Sequence, residues 1–170
     1  MTRFGFAITT YFATLFIALT SVLHPAPKLL WNSSASVPIG LYAIRHALPL
    51  HVGELVVVSP PKPLAKFLAA RRYLPLSVPL LKYVLALPGH TVCREGRTIT
   101  VDGITMGEAL EGDRSGRALP DWQGCRALSP DEVFVMNTVA PDSLDSRYFG
   151  PLPLTTVVGR AVPIWTREEN

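Results

Sequence analysis

Residues 4–23 run for twenty positions without a charged side chain, the length of one helical crossing of a bilayer's hydrocarbon core. In a chain of 170 residues such a run has few places to go. Small cores rarely enclose an apolar helix of that length, so it is expected to leave the folded domain as a membrane segment. Arg3 precedes it, and His24-Pro25-Ala26-Pro27-Lys28 follows, where the prolines end a helix. Two readings stay open: a retained anchor, which the length favours, and a cleaved secretory signal with Ala18-Leu19-Thr20 as its small-x-small site. The expected division is residues 1–28 as anchor and spacer and residues 29–170 as the domain. Positive charge at the start favours a cytoplasmic N-terminus, an asymmetry that Lys28 weakens.

Beyond the apolar run the chain reads as strands and loops, because sixteen prolines and twelve glycines interrupt helices. Strands are expected at 39–44, 54–59, 132–137 and 157–165, with a hairpin of 90–94 and 98–101 around Glu95-Gly96-Arg97. Residues 64–74, carrying Lys66, Arg71 and Arg72 and stopped by Pro75, are the helical candidate. They read as a solvated connector, or as a basic flap over headgroups or a substrate groove, with a poorly defined apolar face. Residues 108–123, with Gly112, Gly116 and Pro120, read as a mobile loop. Basic residues exceed acidic ones by only 16 to 13 and are scattered, without the stripe that nucleic-acid binding uses, so no nucleic-acid partner is expected. No His-Glu-x-x-His, no phosphate-cradling glycine loop and no histidine at ligand spacing from a cysteine is present, so neither metal nor cofactor is expected.

Two stretches carry potential chemistry. Asn32-Ser33-Ser34-Ala35-Ser36-Val37-Pro38 is a serine-dense turn feeding an apolar strand, with Val37 held extended by the proline after it. Its plain reading is a set of turn residues that bond the local backbone. Its functional reading makes one serine a nucleophile, and that requires a group to take the proton. Only Leu80-Leu81-Lys82-Tyr83-Val84-Leu85-Ala86-Leu87-Pro88-Gly89 has the right character, with Lys82 the sole charge between Arg72 and His90. On a central strand, desolvation would lower the lysine pKa from about 10.4 toward neutrality and leave an amine able to act as general base. On an edge strand its stem would snorkel to water. A third stretch, Pro141-Asp142-Ser143-Leu144-Asp145-Ser146-Arg147-Tyr148-Phe149-Gly150, holds an acid and a base two residues apart. They pair weakly across a surface turn, or they set the electrostatics of a nearby lysine.

Cys93 and Cys125 are the two cysteines. In an exported domain they read as one disulfide, which closes a sizeable loop and contributes a few kcal/mol; in a cytosolic domain they read as two free buried thiols. With the N-terminal run, the pair favours a domain that faces the periplasm.

Taken in order, several motifs resemble the bacterial signal peptidase superfamily, and most closely its TraF-type conjugative-transfer branch. They are Ser36-Val37-Pro38 followed by Gly40-Leu41-Tyr42, Lys82 ahead of Ala86-Leu87-Pro88-Gly89, and Asp145-Ser146-Arg147-Tyr148-Phe149-Gly150. Val158-Gly159-Arg160-Ala161 and Trp165 continue the match to the end. The resemblance implies a mainly β domain of antiparallel, coiled sheets behind one transmembrane helix, with an apolar surface against the lipid bilayer. It implies a serine endopeptidase with a Ser-Lys dyad and no cofactor. Ser36 matches the nucleophile and Lys82 the general base. Ser34 and the Ser36 N–H match the oxyanion hole, Ser143 the serine that orients the lysine amine, and Asp145, with Arg147 as its partner, an aspartate implicated in activity. The implied substrate is a pilin or other membrane-associated precursor protein at the bacterial inner membrane, among other conjugative transfer proteins. Water, or the pilin's own N-terminal amine, would resolve the acyl-enzyme, the latter giving a cyclic product.

The departures from the family pattern are Val37 where methionine is usual, His90 where aspartate is frequent, and Asn137-Thr138-Val139 where housekeeping enzymes carry Gly-Asp-Asn. They leave the dyad intact, leave the substrate pocket open and argue against the housekeeping enzyme. The rival functions are a general type I signal peptidase, a non-catalytic membrane-anchored assembly factor and a self-cleaving LexA-like regulator. The anchor and the lack of a DNA-binding segment speak against the last.

Overall fold

The computed structural model describes residues 3–23 and 28–167. The proline spacer at 25–27 lies outside them. Helix α1 spans Arg3–Leu23, and its segment Arg3–Ser21, with a mean hydropathy of 1.5, is long and apolar enough to cross a membrane. Its threonines do not disturb it. Thr9, Thr10, Thr14 and Thr20 each return their hydroxyl to a carbonyl three or four residues back, at 2.9–3.1 Å. The helix thereby satisfies these four threonine hydroxyls internally, as suits a segment in hydrocarbon.

The domain is built from β1 (Leu29–Asn32), β2 (Gly40–Arg45), β3 (Leu55–Val58), α2 (Lys62–Ala70), β4 (Leu80–Ala86), β5 (Thr91–Glu95) and β6 (Thr98–Val101). There follow β7 (Ile104–Glu108), β8 (Gly124–Ala127), β9 (Glu132–Val135), α3 (Ser146–Phe149), β10 (Leu152–Pro153) and β11 (Val157–Thr166). A seven-stranded antiparallel sheet runs β1-β2-β11-β3-β4-β9-β10, and a four-stranded one runs β7-β6-β5-β8. Strand β11 pairs with β3 at its start and with β2 at its end, with a register shift in each pairing. Such shifts bend a strand and let one long element serve two neighbours. Gly40 is required where β2 meets β11: a Cβ there would lie 2.1 Å from the Trp165 carbonyl oxygen.

Strand β4 sits between β3 and β9, with Lys82 opposite Val56. Side-chain alternation puts Leu80, Lys82 and Val84 on one face of the sheet. That face packs into a core with Val56, Val58, Val133 and Leu68. The opposite face buries Leu81 and Val57 against Val37, Tyr42 and Ala161. A third cluster, Val92, Ile99, Phe134 and Met136 with Trp122 at its margin, joins the two sheets.

Three expectations change. The helix spans Lys62–Ala70, earlier than 64–74, and presents a defined apolar face through Leu68, Phe67 and Leu64. It ends in a Schellman turn rather than at Pro75: Tyr73 N–H bonds Leu68 O at 2.9 Å and Arg72 N–H bonds Ala69 O at 3.0 Å. The stretch 108–123 is tied down instead of loose. Tyr73 O–H donates to Asp113 at 2.5 Å, Arg71 to Ala118 O at 2.6 Å, and the Leu110 N–H to Tyr148 Oη at 3.0 Å. Asp145 and Arg147 pair in the interior, at 0% and 1% side-chain exposure, and not across a surface turn.

Candidate active site

Asn32, the buried last residue of β1, shapes the serine turn from inside. Its Nδ2 donates to the carbonyls of Ser34 (2.8 Å), Val37 (3.1 Å) and Pro38 (3.1 Å), and its Oδ1 accepts the Ser34 N–H at 3.1 Å. The Tyr42 hydroxyl closes the far end on Pro38 O at 2.6 Å, and Val37 is buried in the core. Burial pushes the Tyr42 phenol up, with Tyr83 adding to it, so it stays a donor. Held this way, the turn leaves Ser34 exposed and Ser36 half-buried. Their hydroxyls lie 3.1 Å apart, and the Ser36 N–H donates to Ser34 Oγ at 3.3 Å.

Lys82 is 4% exposed, and its Nζ donates to Ser143 Oγ at 2.6 Å. Burial pushes the ammonium down from 10.5 to about 8; Asp145 and Asp142 pull it back up and Arg147 presses it further down. Desolvation wins because β4 is central and its core-side neighbours are apolar. Asn137 fixes the strand at this point. Its Oδ1 accepts the Tyr83 N–H at 3.1 Å and its Nδ2 donates to Leu81 O at 3.3 Å, so one buried amide grips the backbone on both sides of Lys82.

Behind the lysine, Asp145 caps α3 by accepting the Arg147 N–H at 3.2 Å, and its second oxygen accepts the Asn137 N–H at 3.1 Å. The Arg147 guanidinium meets the same carboxylate through Nε and Nη2, both at 2.9 Å. Its other hydrogens go to the carbonyls of Asn137, Ala140, Pro141 and Ser143 at 2.7–3.3 Å. Burial works against that positive charge, but the hydrogen bonds and charge of Asp145 outweigh it and raise the Arg147 pKa. This fork organises the loop that presents Ser143.

A cleft of about 430 Å³ brings together Ser34, Ser36, Lys82 and Ser143. Asp145 and Arg147 do not line it; they act on it through Ser143 and through charge. Among the described residues no hydrogen bond joins Ser36 to Lys82: the lysine is held by Ser143 and the Ser36 hydroxyl by Ser34. The Ser34 hydroxyl and the Ser36 N–H, the pair expected to bind an oxyanion, likewise donate within the turn, so a substrate oxygen would have to take the place of those bonds. Cys93 and Cys125 form a disulfide across β5 and β8, where they are direct partners in register, away from this cleft. The sequence reading missed the Asn137 clamp, and it missed Arg114 and Asp142, which also line the cleft. The one signal for the clamp was a lone amide at the end of an apolar strand.

The chain from residue 1 to 166 matches the family model described as signal peptidase, peptidase S26. It is 36% identical over 146 residues to the conjugal transfer protein TraF of Agrobacterium fabrum, covering 79% of this chain and 81% of that protein. It is 30% identical over 146 residues to a plasmid transfer protein TraF of Escherichia coli, with the same coverage of 79% and 81%. A crystal structure of a signal peptidase I from Enterococcus faecalis aligns with a TM-score of 0.39 and 17% identity, over 69% of this chain and 98% of that one. The strand pairing described above, rather than that alignment, establishes the fold. By the family match and the TraF relatives, the chain belongs to the S26 signal peptidase family.

Proposed function

We propose that the protein is a membrane-anchored serine endopeptidase that cuts a precursor protein of the conjugative transfer apparatus, a pilin precursor in particular. Residues 1–28 form the anchor and spacer, and residues 29–170 the catalytic domain, which faces the periplasm. Ser36 attacks the peptide carbonyl and Lys82, as its neutral amine, takes the Ser36 proton. The Ser34 hydroxyl and Ser36 N–H stabilise the oxyanion, a donor pair whose loss of one member costs about a hundredfold in rate. The leaving amine takes the proton back, and water or an incoming amine resolves the acyl-enzyme, giving a trimmed or a cyclic product.

The observation that carries this reading is a lysine buried to 4% exposure, pushed to about 8, in one cleft with a half-buried serine. An exposed apolar rim supports its place at a bilayer: Leu29, Trp31, Ile164 and Trp165 are each more than half exposed, and the two indoles stack at 5.9 Å. Trp31 also lines the cleft. The test is the intact mass of a candidate pilin precursor after co-expression with the wild type, Ser36→Ala or Lys82→Ala. A trimmed product with the wild type and untouched precursor with both variants is expected. A product lighter than the linear one by one water identifies cyclisation. Processing by both variants would sink the dyad and favour an assembly factor.

A further inference from the structure

Next to the cleft lies a second hollow of about 700 Å³, and the two share Tyr73, Arg114, Asp142 and Leu144. The hollow is lined by four arginines, Arg71, Arg72, Arg114 and Arg117, against two aspartates, Asp113 and Asp142. Both aspartates are engaged. Arg117 meets Asp113 at 2.7 Å, Tyr73 bonds the same carboxylate, and Arg114 pairs with Asp142. The Arg71 guanidinium donates to Ala118 O and lies 4.8 Å over the Phe67 ring. Arg72 is left: exposed, and with no ion pair or side-chain hydrogen bond among the described residues.

The backbone of Arg72 adds an independent observation. It occupies the C′ position of the Schellman turn that ends α2, with φ of 60°. Glycine is the usual residue there, because a side chain makes the left-handed conformation unfavourable. A long cation at a glycine site, among the residues that line a cationic hollow, makes sense if the side chain itself is used.

We propose that this arginine lobe is a subsite for a carboxylate on the substrate peptide, and that Arg72 is the residue that selects for it. The carboxylate is an acidic side chain near the scissile bond or the free C-terminus of the segment cut away. The assignment rests on the peptidase reading above. An anionic peptide is favoured over a lipid headgroup because the hollow opens into the cleft that holds Ser36 and Lys82.

The test uses full-length protein in detergent and quenched peptides with small residues before the scissile bond. Glu or Gln is placed at each of four positions on either side, and each peptide ends as acid or amide. At one position, or at the free acid, kcat/KM is expected to exceed its neutral counterpart by roughly fivefold to tenfold, and to lose that margin between about 50 mM and about 500 mM salt. In Arg72→Gly the ratio is expected to fall to about one, while Tm holds or rises because glycine relaxes the turn. A ratio near one in the wild type, or one preserved in Arg72→Gly, overturns the proposal. Weaker binding of Arg72→Gly to anionic vesicles with an unchanged peptide preference overturns it in favour of a headgroup site. Titration of the same peptides into Ser36→Ala measures the preference without turnover. If the wild type cuts no peptide, the peptidase reading fails, and these affinities alone decide the lobe.

Discussion

The loop after β9 and the cleft beside it hold charged groups of equal burial and opposite settlement. Asp145 and Arg147 are both about 1% exposed, and every hydrogen-bonding group of the pair has a partner, carboxylate to guanidinium and guanidinium to carbonyls. Lys82 is as deeply placed but has one hydrogen bond, to a neutral hydroxyl, and its charge is held against desolvation. The first arrangement pairs charge with charge and serves structure. The second sits near the point where charge is lost, which is where a proton acceptor is useful. The difference lies in the partners supplied, since burial is the same.

Breaking the settled pair should have the largest effect on stability. Asp145→Ala leaves a buried guanidinium without its carboxylate and removes the α3 cap, a loss of roughly 3–5 kcal/mol in urea unfolding. A loss under about 1 kcal/mol would mean that the carbonyls alone hold Arg147.

The unsettled group should respond in the opposite direction. Moving the Lys82 pKa from 10.5 to about 8 corresponds to about 3 kcal/mol of disfavoured charge at neutral pH. Lys82→Met is therefore expected to be more stable than the wild type at pH 7, by about 1–3 kcal/mol after the lost Ser143 bond, while losing activity. Below pH 8 both folded and unfolded chains carry the proton and the cost is complete. From about 8 to 10.5 the unfolded lysine binds more proton than the folded one, so wild-type stability rises with pH relative to Lys82→Met and the gap closes. A gap that stays constant over that window would remove the buried-charge account.

Much of this division was legible in the sequence, and the reasons for the rest are physical. The apolar run, the Val56–Val58 and Lys82 strands, and the hairpin of β5 and β6 have strong local patterns that tertiary packing reinforces. Strand β8, exposed throughout and carrying Gly124 and Arg126, has no alternation to read; its pairing with β5 comes from the partner strand and the disulfide. Asp145 and Arg147, two residues apart, look like a surface turn until the rest of the chain closes over them. The ties that hold 108–123 reach residues about forty positions away, such as Tyr73 and Asp113, and leave no local trace. Lys82 was readable as a candidate because isolation in an apolar strand is itself a local pattern. Its clamp, Asn137, was not, since an amide's partners are set by topology.

The direct measurement of the central claim is the titration of Lys82 by NMR of isotope-labelled lysine, assigned by comparison with Lys82→Met, in folded protein. The account predicts one lysine whose Nζ and Cε signals move with a midpoint near 8, with the kcat/KM profile rising through the same midpoint. A Lys82 that titrates at about 10.4 or above, the reference range of a lysine side chain in water, would leave no neutral amine near pH 7 and would contradict the account.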